Sequence, residues 1–202
     1  METYRSKRIL ALCLTALVGC TSTNEETAQE TLPMSGIAMA DQVCSLCHGL
    51  TGESVSPMFP KLAGQQKEYL QLQLKDFKNH VRSDKAGTQY MRGFTHLTEV
   101  QITELADYFA SQRPMQAGTD VFDARGELIY GGGIPDSGVA RCSSCHGTDG
   151  EGEGRVPRVA GQHAEYVIHQ INVLQKTAQH ALSDADAVAA ARYLAGLGGQ
   201  KQ

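Results

Sequence analysis

Two short segments of this 202-residue chain combine thiol and imidazole groups at the same spacing. One reads CSLCHG from Cys44 and the other reads CSSCHG from Cys142, so each holds two cysteines separated by two residues and followed by a histidine. A C-x-x-C pair can be a redox-active dithiol, half of a zinc site or the attachment point of a c-type haem. The adjacent histidine decides between these chemistries.

Haem attachment explains both the histidine and the repetition. A redox dithiol of the thioredoxin kind needs a surrounding βαβ pattern, and a zinc site needs four ligands at one metal, whereas these motifs are about a hundred residues apart. In a c-type site the two thiols bind the vinyl groups of the haem, and His48 or His146 binds the iron. The predicted attachment residues are Cys44, Cys47, Cys142 and Cys145.

The N-terminus predicts export and a lipid anchor. Residues 1–8 are basic and residues 9–19 are apolar but too short to span a bilayer. The sequence LVGC, ending at Cys20, is similar to a bacterial lipobox, which predicts a signal peptide over residues 1–19 and a lipid on Cys20; a plain signal peptide with a chance cysteine is the alternative. Residues 20–35 are polar and predict a flexible tether. We therefore expect the protein at the periplasmic face of a bacterial membrane.

Composition limits what the chain can be. The net charge is −4, which argues against a nucleic-acid-binding protein. Hydrophobic residues make up 41% and tryptophan is absent, so small domains built from this chain would depend on a bound cofactor for their cores. Once Cys13 leaves with the signal peptide and Cys20 carries lipid, every other cysteine lies in a C-x-x-C pair, and none is left for a structural disulfide.

The similarity of the two segments continues beyond the motifs. FPKLAGQQKEYL at residues 59–70 matches VPRVAGQHAEYV at residues 156–167, and apolar residues at i, i+4 and i+7 then predict a helix in each copy. Each copy closes with a capped helix, beginning after Thr98 or Ser183. With no convincing strand run, the sequence predicts an all-α fold of two tandem domains, each wrapped around one haem. The predicted boundaries are 36–112 for the first domain, 113–120 for a linker and 121–202 for the second domain.

The chain resembles the di-haem cytochrome c4 family. The resemblance rests on the paired C-x-x-C-H-G motifs, on FPKLAGQ with Tyr69 four residues on, on DYFASQ at the end of the first copy and on LIYGGG before the second motif, and it covers roughly residues 36–198. It implies two class I cytochrome c folds packed face to face, with His and Met ligands on each iron. It also implies electron transfer in the periplasm, commonly toward terminal oxidases of the cbb3 type.

The family's sixth ligand has a match in the first copy only. QYMRGFTHL places Met91 at the family's ligand position with a one-residue gap, and a thioether ligand raises the haem potential. Met58 is the alternative, but it lies in the loop just after the motif, where packing is the commoner role of a methionine. His80 and His96 are predicted to be solvated.

The second copy lacks this ligand loop. No methionine follows Met115, and Leu174 and Leu182 are eight positions apart, whereas the corresponding Phe77 and Leu97 are twenty apart. The second iron therefore has no methionine ligand from its own domain. We expect this iron either to have the lower potential of the two or to have an open sixth coordination site.

Three histidines downstream of His146 are candidate ligands for the second iron. His180 lies in the shortened loop and is the predicted ligand; His163 is expected at the surface where a helix starts, and His169 is expected to be exposed. The alternatives are that the second iron has no sixth ligand from the protein, or that a residue from elsewhere, such as Met115, binds it.

These features predict an electron carrier rather than an enzyme. We expect a membrane-tethered protein that relays single electrons between a respiratory donor, such as a quinol-oxidising complex, and a terminal oxidase or reductase. The alternative is a haem enzyme or a gas- or peroxide-binding protein that uses an open second iron.

Overall fold

The computed structural model describes residues 33–82, 84–94, 96–118, 122–175 and 180–198. The predicted signal peptide, the lipid site at Cys20 and most of the predicted tether therefore lie outside the described residues. Those residues form helices, turns and two isolated β-bridges, without a longer strand among them. The prediction of an all-α fold is confirmed. Among the same residues, no helix is both long and apolar enough to cross a membrane.

The first copy, built around the motif at Cys44, ends with the capped helix that the sequence predicts. Its elements are α1 (Gly36–Met39), a π-helical turn (Ala40–Cys44), α2 (Ser45–His48), α3 (Lys67–Lys78), α4 (Lys85–Met91), a 3-10 turn (Arg92–Phe94) and α5 (Glu99–Ala110). The Thr98 side chain accepts from the Gln101 N–H, and the Gln101 side chain accepts from the Thr98 N–H. This capping box satisfies two backbone donors that the first turn of α5 would otherwise leave unpaired.

The second copy, built around the motif at Cys142, repeats this order without a counterpart of α4 among its described residues. Its elements are α6 (Ala124–Gly132), a 3-10 turn (Pro135–Ser137), α7 (Ser143–His146), α8 (Ala164–Leu174) and α9 (Asp184–Gly196). The predicted cap of α9 is present, because the Ser183 side chain accepts from the Asp186 N–H. α6 is followed by the capping residue Gly133, whose φ of 74° is costly for a residue with a Cβ.

In each copy the entry helix crosses the last helix at a glycine. A Cβ on Gly36 of α1 would overlap Glu104 of α5, and a Cβ on Gly126 of α6 would overlap the backbone of Ala189 of α9. These close crossings hold together two small, largely aliphatic cores. The buried members are Ala40, Leu70, Leu97, Ile102, Leu105, Ala106 and Phe109 in the first core. They are Ile129, Tyr130, Val139, Val167, Ile171, Leu182, Ala187, Ala189, Ala190, Ala191 and Leu194 in the second core.

The two copies meet through equivalent positions at the starts of α3 and α8. Gln66 Nε2 donates to the Gly152 carbonyl at 3.1 Å, and at the matching place His163 Nε2 donates to the Ser54 carbonyl at 2.9 Å. His163 is therefore half-buried at this contact, and its prediction as a surface residue is wrong because packing between the copies covers it. Residues from Met34 onward form one compact unit, so the domain boundaries stay predictions.

Candidate haem-binding sites

The first candidate site is centred on His48 at the end of α2. The His48 side chain is buried, and its Nδ1 lies 2.8 Å from the Pro60 carbonyl oxygen. A carbonyl can only accept, so Nδ1 carries the proton and Nε2 is the nitrogen with a free lone pair. Burial holds the pKa of His48 below its ordinary value, against the opposing effect of the Pro60 hydrogen bond. The imidazole is thus neutral and oriented, as a metal ligand requires.

The second candidate site has the same arrangement around His146 at the end of α7. Nδ1 of His146 lies 3.0 Å from the Pro157 carbonyl oxygen, and burial lowers the pKa of His146 as it does for His48. In both copies, a proline in the loop after the motif fixes the tautomer of the histidine. The sequence contains this signal, because Pro60 and Pro157 occupy matching positions of the repeat, but their role was not predicted.

The four cysteines of the motifs form no disulfide and lie at the edges of the two cores. Cys44 and Cys142 are half-buried and pack against the first and second core respectively, and burial raises the pKa of both, to about 11 for Cys44. Cys47 and Cys145 are exposed. Each pair therefore presents two unpaired thiols, one against the core and one at the surface.

This donor set fits a covalent haem and does not fit zinc. Within the described residues, no group of three or more His, Cys, Asp or Glu side chains could hold a metal ion. Two thiols next to one neutral imidazole do match the needs of a c-type haem, which is bound through two thioethers and a proximal histidine. In each copy the residues that would hold it are the two cysteines and the histidine of the motif.

Aromatic contacts connect the predicted sixth ligand of the first copy to His48. The Phe59 ring packs edge-on against the His48 ring, with centroids 6.2 Å apart, and against the Tyr90 ring, with centroids 5.3 Å apart. Tyr90 precedes Met91, the last residue of α4, which is half-buried. The rival Met58 is 61% exposed. The end of α4 thus lies on the His48 side of the first copy, and Met91 as the iron ligand stays a prediction.

The start of α4 is held by a buried carboxylate. The Asp84 side chain caps the helix by accepting from the Gly87 N–H and also accepts from Arg82 Nε at 2.7 Å. Arg82 Nη2 lies 3.2 Å from Gln170 Oε1 of the second copy. The segment that precedes α4 and Met91 is therefore held by contacts with both copies.

In the second copy, His180 lies within electrostatic range of His146. It is half-buried, and its pKa is lowered mainly by burial and then by its interaction with the His146 imidazole. His180 as a ligand stays a prediction, because residues 176–179 of its loop lie outside the described residues. The expectation that His169 is exposed is wrong: it is half-buried, and its Nε2 is buried with no hydrogen-bond partner in the described part of the chain. Met115 is fully buried in the predicted linker.

Similarity to known proteins agrees with this arrangement. The family model described as cytochrome c matches residues 34–113. Cytochrome c4 of Thiocapsa roseopersicina is 35% identical over 181 residues, which cover 82% of this chain and 92% of that relative. Cytochrome c-552 of Acidithiobacillus ferridurans is 41% identical over 133 residues, which cover 63% of this chain and 58% of that relative.

A solved structure shares the arrangement of most of the chain. The cytochrome c4 of Acidithiobacillus ferrooxidans superposes with a TM-score of 0.71 at 35% identity, and the match covers 76% of this chain and 98% of that one. Covalently bound c-type haems, predicted from the motifs, are confirmed by these similarities.

Proposed function

Because this chain belongs to the di-haem cytochrome c4 family and is a di-haem electron-transfer cytochrome, we propose that it relays single electrons between a respiratory donor complex and a terminal oxidase or reductase. The observation that supports this role most directly is the pair of oriented histidines, each following two cysteines that form no disulfide, in one compact unit. When bound, the haems supply one-electron chemistry, and the protein orients and buries their ligands.

The two irons differ in their proposed second ligands. His48 and Met91 would bind the first iron, and His146 and His180 the second. A thioether favours ferrous iron more than an imidazole does, so the first copy would have the higher potential. Electrons would then enter at the second copy and leave from the first.

The protein would act at the periplasmic face of a bacterial membrane, held by a lipid on Cys20. The support is the basic and apolar N-terminus followed by LVGC, together with a polar segment before α1. A Cys20→Ser variant should lose metabolic labelling by a radioactive fatty acid and move from the membrane fraction to the soluble periplasmic fraction. Retention of the label would contradict the lipid site without affecting the proposal of electron transfer.

The electron-transfer proposal is tested with reduced protein and isolated membranes that contain a cbb3-type oxidase. We expect the wild-type protein to support oxygen consumption at a rate that saturates with its concentration, and the Met91→Leu variant to support it much more slowly. Reoxidation by oxygen at the same rate without membranes would instead indicate direct chemistry at an open iron.

That direct chemistry is the alternative function, a haem enzyme or a gas- or peroxide-binding protein. The presence of His180 in the loop of the second copy argues against it, because His180 is the proposed ligand for the coordination site that a gas would need. Carbon monoxide binding to the reduced wild-type protein distinguishes the two functions: an electron carrier with both irons six-coordinate binds little, and an open iron binds one equivalent.

A further inference from the structure

The peptide between Pro60 and Lys61 is hydrogen-bonded at both of its ends. Its carbonyl oxygen, on Pro60, faces Nδ1 of His48 at 2.8 Å. Its N–H, on Lys61, donates to Oε1 of Gln162 in the second copy at 2.9 Å. Nε2 of the same glutamine donates to the Lys61 carbonyl at 3.0 Å. Lys61 and Gln162 are both buried, so water does not compete for these contacts.

The second copy contains the reciprocal arrangement. The Pro157 carbonyl faces Nδ1 of His146, the Arg158 N–H donates to Oε1 of Gln65 at 2.6 Å, and Nε2 of Gln65 donates back to the Arg158 carbonyl at 2.9 Å. Each copy therefore sends one glutamine to the peptide that orients the other copy's histidine.

Both glutamine side chains are also held by a hydrogen bond within their own copy. Oε1 of Gln65 accepts from the N–H of Gln66 at 2.9 Å, and Oε1 of Gln162 accepts from the N–H of His163 at 3.0 Å. Gln65 and Gln162 are each about 5% exposed. A buried amide fixed by its own backbone loses little side-chain freedom when it binds the opposite peptide, so each contact is built into the fold.

Hydrogen bonds in such a chain strengthen one another. An acceptor on the peptide N–H pushes electron density toward the carbonyl of the same peptide, which then accepts more strongly from Nδ1–H of the histidine. A stronger acceptor on Nδ1–H makes the imidazole a better donor to the metal on its other nitrogen. Better donation stabilises ferric iron and lowers the potential.

We propose that Gln162 and Gln65 are positioning residues that act crosswise, Gln162 on His48 of the first copy and Gln65 on His146 of the second. Gln162 therefore tunes the potential of the first iron, and Gln65 tunes the potential of the second. This inference rests on the proposed ligation of the two irons by His48 and His146.

The chain offers a matched control at the same contact surface. Gln66 also reaches across with its amide, donating to the Glu151 carbonyl at 2.8 Å and the Gly152 carbonyl at 3.1 Å. These carbonyls are not on the Pro157–Arg158 peptide. A Gln66→Met change therefore removes a hydrogen bond between the copies without touching the peptide that faces His146.

Redox titration of the holoprotein tests the crosswise effect. In Gln162→Met, at a fixed ambient potential, the ferrous-to-ferric ratio of the first haem should rise by roughly two- to fourfold, with the second haem changed less. Gln65→Met should show the opposite pattern, and Gln66→Met should change neither ratio. Equal changes in both haems, or a change confined to the copy that carries the substitution, would overturn the proposal.

Conservative replacement provides a second readout. Gln162→Glu keeps an acceptor for the Lys61 N–H and loses the donor to the Lys61 carbonyl, so it should not raise the ferrous fraction of the first haem, unlike Gln162→Met. A rise equal to that of the methionine variant would mean that the contact matters only for packing.

Two measurements keep the test decisive if a variant fails to fold. In the reduced wild-type protein, the Lys61 and Arg158 amides should exchange with deuterium as slowly as core helix amides, and fast exchange would contradict the proposal. If His48 and His146 are not the iron ligands, this is recognised separately, because the His48→Ala and His146→Ala variants would then have the same haem spectrum as the wild-type protein.

Discussion

The two copies share the residues that attach a haem and differ in the loop that follows. In the first copy, α4 and a 3-10 turn occupy the space between α3 and α5, and Met91 lies at the end of α4. In the second copy, α8 and α9 are joined by a segment less than half as long, which contains His180. The two copies thus differ in this loop, which contains both proposed sixth ligands, while the attachment residues stay the same.

The surface around the two motifs differs as well. Leu46 is 81% exposed and Val55 is 96% exposed in the first copy, whereas Ser144 and Glu153 stand at the matching exposed positions of the second. A protein that approaches the two motifs thus meets an apolar face on one copy and a polar face on the other. The repeat keeps its internal geometry while its surfaces diverge.

Removing both thiols of one motif should have the largest effect. The double variant Cys142→Ala with Cys145→Ala should lose one of two covalent haems, and Cys44→Ala with Cys47→Ala should lose the other. Intact-mass spectrometry of the purified proteins measures the number of haem additions. Two additions in either double variant would contradict the assignment of that motif.

Met91→Leu should abolish the far-red iron–methionine absorption band of the ferric protein and lower one of the two potentials. Axial ligands set haem potentials over a range of about 0.8 V, and we expect a fall on the order of 0.1 V. Met58→Leu is the matched control and should leave the band intact, since Met58 is exposed. Loss of the band in the control alone would assign the ligand to Met58.

His180→Ala should convert the second haem from low-spin to high-spin, because loss of an imidazole leaves the iron five-coordinate. Ferric EPR measures the change, and the first haem should keep its signal. His169→Ala serves as the control in the same copy. A high-spin signal already present in the wild-type protein would mean that the second iron is open.

Lys61→Met should destabilise the protein by about 1–2 kcal/mol, because it leaves Glu53 without the cation that lies 2.6 Å away. At the equivalent position, Arg158→Met should cost less, since Arg158 Nε is buried with no hydrogen-bond partner among the described residues. Denaturant unfolding of both holoproteins measures the difference. Equal losses would indicate that the two basic residues contribute alike.

The smallest expected effect concerns His163, which takes the place of Gln66 in the second copy. Burial, and then the charge of Lys61, lower the pKa of His163, so the unfolded chain binds its proton more readily than the native protein does. Its neutral form contributes stability above pH 6.5, and that contribution is lost as the pH falls from 6.5 toward the folded pKa. His163→Gln should flatten this part of the unfolding profile, and an unchanged slope would contradict the assignment.

The sequence predicts most of the local structure, that is, the helices and their caps. The apolar spacing that begins at Leu70 and at Val167 predicts α3 and α8, and the caps at Thr98 and Ser183 predict where α5 and α9 begin. Leu174, assigned by the same spacing to the buried face of α8, is an exception at 40% exposure. Periodicity and capping depend on neighbours in the chain, and these signals are read directly from the residues.

Contacts between the copies could not be predicted in this way. The repeat P-[K/R]-x-A-G-Q contains both partners of the crosswise hydrogen bonds, but Gln65 meets Arg158 only once the two copies pack together. The sequence predicts His163 at the surface for the same reason: a helix-start residue is exposed in a single copy and becomes half-buried against the other. Such contacts depend on how the copies pack, which neither helical periodicity nor capping specifies.

The hydrogen bonds that Gln65 and Gln162 make to the opposite copy also affect how the chain folds. The N–H groups of Lys61, which is buried, and of Arg158, which is half-buried, donate to glutamines of the opposite copy, and an unpaired buried donor is costly. An isolated first copy would therefore leave its proximal loop hydrated and looser, even with its own haem attached. Folding of the two copies is therefore expected to be cooperative, and truncation between them should impair both halves.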